Sequence, residues 1–288
     1  STSRRRRAAT CSAGSASSAG ARARRHHAVA LDTEFVRTRT LAPHIGLIQL
    51  YDGHQLVLID PLSISEFTPF KHLLEDQDVI KVLHSCSEDL ETFLYAYGIA
   101  PSPVFDTQFA ANVLGMGNTL GYARLVEMMQ GVELDKGESR TDWLARPLSD
   151  SQLHYAANDV LYLLPAFQQL YEMVMARGKI AWVYDEIATL VEKKQATMPA
   201  DYAYLQIKNN WRLNAEQMQV LKALAGWRLT VARQKDMALN FVVKEIAVFE
   251  AARTMPRGDP RASLWIRFGC AGYNTAHGTS WVQQPKTP

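Results

Sequence analysis

Apolar residues fall into short, dense runs over the first third of the chain and then spread into helical periods. From His27 onward, AVALDTEF, IGLIQLYD and QLVLIDP are the right length for buried strands, and Asp52-Gly53 between the second and third is a strong hairpin signal. A helix is expected around residues 68–74, followed by a fourth strand in VIKVLHS. Ser85 and Glu88 have capping-box spacing ahead of Leu90, Phe93, Leu94 and Tyr97, which follow at helical period. PVFDTQ reads as a fifth strand leading into a helix over FAANVLG. LGYARLVEMMQG reads as a short helix and DKGESRTDW as a polar loop. Ser149 with Gln152 then caps a long helix whose apolar stripe is Leu153, Ala156, Val160 and Leu164, in helical sequence that runs to about Gln195. Three antiparallel strands followed by alternating strands and helices predict an α/β domain with a mixed sheet flanked by helices.

Beyond it, residues 196–206 read as a linker, with ATMPADY at their start. Residues 207–256 read as a small all-α domain, with Leu213, Met218, Leu221, Leu224, Ala225 and Trp227 on a buried stripe and Arg228, Arg233 and Lys235 on a basic side. Residues 257–288 lose helical periodicity and read as an irregular tail. Residues 1–27 are Arg, Ser, Ala and Gly with almost no large apolar side chain, too little to offset ordering entropy, so a disordered arm is expected. A basic nucleic-acid arm, a transit peptide and a non-native segment are all compatible with that composition.

Charge sharpens this division. The ends supply +7 (seven arginines and no acid in 1–31) and +3 (four basic residues against Asp259 in 257–288) of a formal net charge of +2, leaving about −8 on residues 32–256. A body of that sign must neutralise any anion site locally if it is to meet nucleic acid. Cys11, Cys86 and Cys270 are scattered and form no zinc pattern, so a reducing cytoplasm is expected, and no apolar run reaches the length of a membrane span.

Candidate chemistry lies in acids. Asp32 and Glu34, two apart on a strand, project to the same face at a sheet end. Asp89 falls in the first turn of its helix, where favouring the helix dipole is reason enough for an acid. Tyr155 and Asp159 are four apart and stack on one helix face. Phe35, directly after the acids, is placed to contact a terminal base or to pack in the core, and its strand parity, opposite to Asp32 and Glu34, favours the core. Carboxylates are hard oxygen ligands suited to magnesium or manganese rather than zinc. Two such ions roughly 4 Å apart can stabilise both the attacking and the leaving oxygen of an in-line displacement at phosphorus. Lys136 and Arg140, in the loop before the Tyr155 helix, are candidate substrate phosphate contacts, and solvated loop charges are the plain alternative.

The order and spacing of these patches resemble the DEDD superfamily of 3′–5′ exonucleases in its tyrosine-bearing branch. LDTEFVRTRT, GLIQLYDG, HSCSEDLETF, FDTQ, LDKGESRTDWLARPLS and YAANDVLYLLP are similar to the ribonuclease D family within it, across roughly residues 28–195. That resemblance implies a ribonuclease H-like fold and hydrolytic release of nucleoside 5′-monophosphates from RNA 3′ ends, with tRNA precursors as the typical substrate and no small-molecule cofactor. It implies that Asp32, Glu34 and Asp159 bind one divalent ion, that Asp32 and Asp89 bind a second, and that Tyr155 orients the water. Residues 207–256 resemble the start of the helical domain shared by RecQ-type helicases and ribonuclease D, which helps to bind nucleic acid. Both ends depart from the family pattern, as a shifted reading frame would make them. A sheet edge left bare for want of a first strand, a half-built helical module and reduced stability are therefore expected. A DNA 3′–5′ exonuclease, and an RNA-binding protein inactivated by its altered ends, are the rival readings.

Overall fold

The computed structural model describes residues 9–10, 28–135 and 137–254. Lys136, the tail 257–288 and the arm apart from Ala9–Thr10 lie outside the described residues. The chain divides into two compact units, residues 1–37 with 42–197 and residues 38–41 with 198–288.

In the first unit the described residues form a mixed sheet of order β1-β4-β3-β2-β5-β6. Its strands are β1 (Ala9–Thr10), β2 (Ala28–Val36), β3 (His44–Tyr51), β4 (Leu56–Ile59), β5 (Ile80–Leu83) and β6 (Val104–Asp106). The three antiparallel strands expected from the apolar runs are β2, β3 and β4. Asp52 holds the tight β3–β4 connection by accepting from the His54 and Gln55 backbone N–H groups, and Gly53 sits at φ 88°. β5 and β6 add in parallel. The edge beside β4 carries Ala9–Thr10 in parallel register with Val57 and Leu58, so the expected bare edge is corrected by two residues of the arm itself.

Seven helices of this unit are described: α1 (Thr68–Glu75), α2 (Ser87–Tyr97), α3 (Thr107–Val113), α4 (Tyr122–Gln130), α5 (Asp150–Leu161), α6 (Leu163–Ala176) and α7 (Ile180–Gln195). The helical sequence from Ser149 to Gln195 is thus three helices, broken at Tyr162 and at Gly178, which takes φ 66°. The Ser149–Gln152 capping box forms as expected, whereas the Ser85–Glu88 one does not. Ser85 is left-handed at φ 59°, and Asp106, at the end of β6, accepts from the backbone N–H groups of Ser85 and Cys86. Asp106 also caps α3 through Gln108 and Phe109, so one buried carboxylate ties two helix starts together.

Alternation along β2 decides which side each residue serves. Val29 and Leu31 pack with Leu90 and Phe93 of α2 in one core. Ala30 packs on the other face with Val160 at the C-terminal end of α5. Leu47 and Leu58 extend that second face beneath Trp143 and Ala156. Gly46 permits a close approach there: a Cβ on it would lie 2.4 Å from the Trp143 carbonyl oxygen.

The second unit has a 3-10 helix at Ala200–Gln206, then α8 (Ala215–Gln234), α9 (Leu239–Val242) and α10 (Glu245–Thr254). Leu221, Leu224 and Ala225 are buried, with Leu213, Met218 and Trp227 packed against them, as the stripe predicts. Two details differ. Ala203, in the stretch read as a linker, is buried in this core beside Ile207, and the second unit already begins at Met198. Arg228, expected on a basic face, is 3% exposed and donates to the Leu239 carbonyl and Asn240 Oδ1, which makes it a structural tie between α8 and α9.

Candidate active site

Pairing between β2 and β5 stops at Ala30 and Val82, while β2 runs on to Val36. The freed edge opens a cleft lined by Asp32, Glu34, Phe35, His84, Asp89 and Tyr155, with Thr33, Ser85, Glu88, Tyr122, Asp159 and Leu163 completing it. The cleft holds about 270 Å³, the lower end of the range for small-ligand pockets and suited to one nucleotide rather than a duplex. None of these lining residues is Lys or Arg.

The five residues expected to carry chemistry all line this cleft, in two groups. Asp32 and Glu34 share the β2 face that α5 covers, and Asp159 reaches them from that helix. Ligand oxygens of the three lie within 4.8 Å of one another. Tyr155 is one turn earlier on α5, its ring centroid 6.2 Å from that of Trp143. Asp89 sits outside this triad. It approaches from α2, on the opposite face of the sheet, and accepts a 2.5 Å hydrogen bond from Thr33 Oγ1. Gln49, fully buried on β3 and in register with Asp32, donates to Asp32 Oδ2 at 3.4 Å.

Four acids this close resist ionisation together. Burial, then repulsion from Asp89, Asp159 and Glu34, holds the Asp32 carboxyl well above the usual carboxylate range. Glu34 is pushed up to about 9 and Asp159 to about 8, in both cases by burial first and by neighbouring carboxylates second. Asp89 is raised to about 7 by burial, against the pull of the Thr33 hydrogen bond. The Tyr155 phenol is raised by burial and by Asp159, Glu34 and Asp32, so it stays protonated at any working pH and keeps a proton to donate. Hard oxygen donors, mutual repulsion and a lining without Lys or Arg fit a divalent cation such as magnesium or manganese. In such a site Asp32, Glu34 and Asp159 would be the ligands of one ion.

Arg140 is exposed, in a turn, and is not among the lining residues, and Lys136 lies outside the described residues. Phe35 departs from its expected place. Register slips between Glu34 and Phe35, and such an irregularity re-aims the following side chain, so Phe35 faces the cleft instead of the core. Thr33, Gln49, His84 and Tyr122 were not foreseen as part of this region. His84 Nδ1 lies 2.9 Å from Thr107 Oγ1, and Tyr122 donates to the Asn158 carbonyl. The position of His84 at the carboxyl end of β5 was the one available signal, since ligands favour that end of parallel strands.

Residues 10–175 match the family model of the 3′–5′ exonuclease, and residues 217–259 match that of the HRDC domain. Ribonuclease D of Cronobacter turicensis is 51% identical over 234 residues, which are 81% of this chain and 63% of that protein. The crystal structure of Escherichia coli RNase D, an exoribonuclease involved in structured RNA processing, superposes with a TM-score of 0.84 at 44% identity. The match covers 88% of this chain and 68% of that one. Brucella melitensis NrnC with bound Mg2+ is similar at a TM-score of 0.53 and 25% identity, over 59% of this chain and 84% of that one. The chain spans less than two thirds of the length of the curated relatives it matches.

Proposed function

The chain belongs to the ribonuclease D family of 3′–5′ exonucleases, and we propose that it is itself a divalent-metal-dependent exoribonuclease releasing nucleoside 5′-monophosphates from RNA 3′ ends. The observation that carries this reading is the meeting of three carboxylates from one strand and one helix, with Tyr155 on the same helix face and Asp89 across the sheet edge. When bound, two divalent ions would supply the charge neutralisation that an in-line displacement needs at its attacking and leaving oxygens. The chain's own contribution is placement. Asp32, Glu34, Asp89 and Asp159 would offer carboxylate oxygens where the cations belong, and the protonated Tyr155 would hold a water beside them. Phe35 and Leu163 offer an apolar wall for the last base, with the Tyr122 ring close by. An end-on cleft of this size suits removal of one terminal nucleotide at a time.

Lys136 and Arg140 act on phosphates of the substrate strand. The helical second unit, matched to the HRDC domain, adds affinity for structured RNA such as tRNA precursors. The buried, unpaired thiol of Cys86 suits the cytoplasm. Among the described residues, no helix is long and apolar enough to cross a membrane.

Matched 5′-labelled RNA and DNA oligonucleotides of one sequence test the proposal in magnesium. A ladder shortening from the 3′ end on RNA, much faster than on DNA, supports it. Faster degradation of the DNA would replace it with the deoxyribonuclease reading, and inertness on both would leave a binding module.

A further inference from the structure

Resting on the metal-dependent reading above, we infer that Thr33 is a positioning residue for the second cation, through the hydroxyl that ties Asp89 to β2. Strand alternation sends Asp32 and Glu34 to the α5 face and Thr33 to the α2 face. Asp89 is therefore the one acid of the four that reaches the cleft from the other side of the sheet. Where it arrives, β2 has no strand neighbour on that edge, because pairing with β5 ended at Ala30. No backbone ladder fixes the start of α2 against this stretch of β2. The Thr33 hydroxyl makes that connection, at 2.5 Å to Oδ1.

Both partners are almost out of solvent, Thr33 at 5% exposure and Asp89 at 6%. A hydroxyl has one proton to give, and here it goes to a carboxylate in a dry setting, where such charge-assisted bonds are strong. The carboxyl also takes backbone hydrogen bonds from Thr33 and Asp89, so the hydroxyl is the part of this anchorage that a substitution can remove. Because Thr33 is covalently flanked by Asp32 and Glu34, its hydroxyl sets the distance between the triad and the fourth acid. A valine here would match the shape and the strand preference and lose only this tie.

Thr33→Val and Thr33→Ser in the full chain test it, with Mn2+ as the probe and binding followed by calorimetry and by the free-Mn2+ resonance signal. The wild type is expected to take up two ions. In Thr33→Val the first site keeps its affinity and the second weakens roughly 10- to 100-fold. The magnesium concentration for half-maximal RNA cleavage rises in parallel, and the rate recovers at high magnesium. Thr33→Ser restores both. Should the valine chain fail to fold, Thr33→Ala against Thr33→Ser repeats the comparison with the methyl absent from both.

Unchanged two-ion binding in Thr33→Val would overturn the inference. So would equal loss in the serine and valine chains, or a lower rate that no magnesium concentration restores. A wild type that binds no Mn2+ at all refutes instead the metal-dependent reading beneath it, and the inference falls with it.

Discussion

Replacing Asp32 by asparagine should make the metal-free protein more stable while removing its response to metal. Asp32 faces three other carboxylates, and all four resist ionisation in the folded state. Folded-state values raised above the unfolded ones mean that the native protein binds more protons, so stability falls as pH climbs from about 4, where unfolded carboxylates ionise, to about 9, the folded value of Glu34. Each unit of such a shift corresponds to about 1.4 kcal/mol, so the rise of Asp89 from 3.8 to about 7 would cost ~4 kcal/mol if it stood alone. The four share their protons and the costs do not add. Relieving one member is therefore expected to return about 2–3 kcal/mol at pH 8.5, or roughly 4–12 °C in Tm for a body of this size. Melting in EDTA at pH 8.5 should show that gain for Asp32→Asn, and melting near pH 4 should abolish it. Adding Mn2+ at a hundred times its Kd should stabilise the wild type by about 2.7 kcal/mol and the variant far less. An Asp32→Asn protein that melts below the wild type in EDTA at pH 8.5, or that gains as much from Mn2+, would contradict a cluster of mutually repelling acids relieved by metal.

Three other outcomes follow from particular contacts. Tyr155→Phe should lower kcat by roughly 10- to 100-fold with KM nearly unchanged, since the ring still packs on Trp143 and only the water-holding phenol is lost; equal changes in both constants would mark the tyrosine as structural. Gly46→Ala should cost about 1–3 kcal/mol, read as a drop in urea midpoint, because its Cβ would force the Trp143 backbone away from β3. Arg228→Leu should destabilise the helical unit by about 1–3 kcal/mol, measured by hydrogen exchange in α8 and α9, because it orphans the Leu239 carbonyl and Asn240 Oδ1.

Much of the site was legible because it depends on periodicity. Parity placed Asp32 and Glu34 together, and a four-residue step placed Tyr155 over Asp159. What escaped depends on contacts between distant segments. Ser85 and Glu88 have the spacing of a cap, yet Asp106, some twenty residues on, takes the helix start and Ser85 turns left-handed. Phe35 has core parity, and one slip of register against β3 turns it to the cleft. Arg228 looked solvated because its helix face is basic in sequence, and the short α9 closes over it. Thr33 is an unremarkable strand threonine until α2 brings Asp89 beside it. The two-residue strand Ala9–Thr10 has no pattern of its own, since its partner supplies the register.

The central claim is that the acidic cleft removes nucleotides one at a time from an RNA 3′ end with divalent metal. The most direct measurement follows an unpaired RNA labelled on its last internucleotide phosphate, in magnesium and in EDTA, for the wild type and Asp32→Ala. The wild type should release labelled nucleoside 5′-monophosphate immediately in magnesium alone, with Asp32→Ala inert but folded. Label appearing first in longer fragments, or the same release in EDTA or from Asp32→Ala, would contradict it.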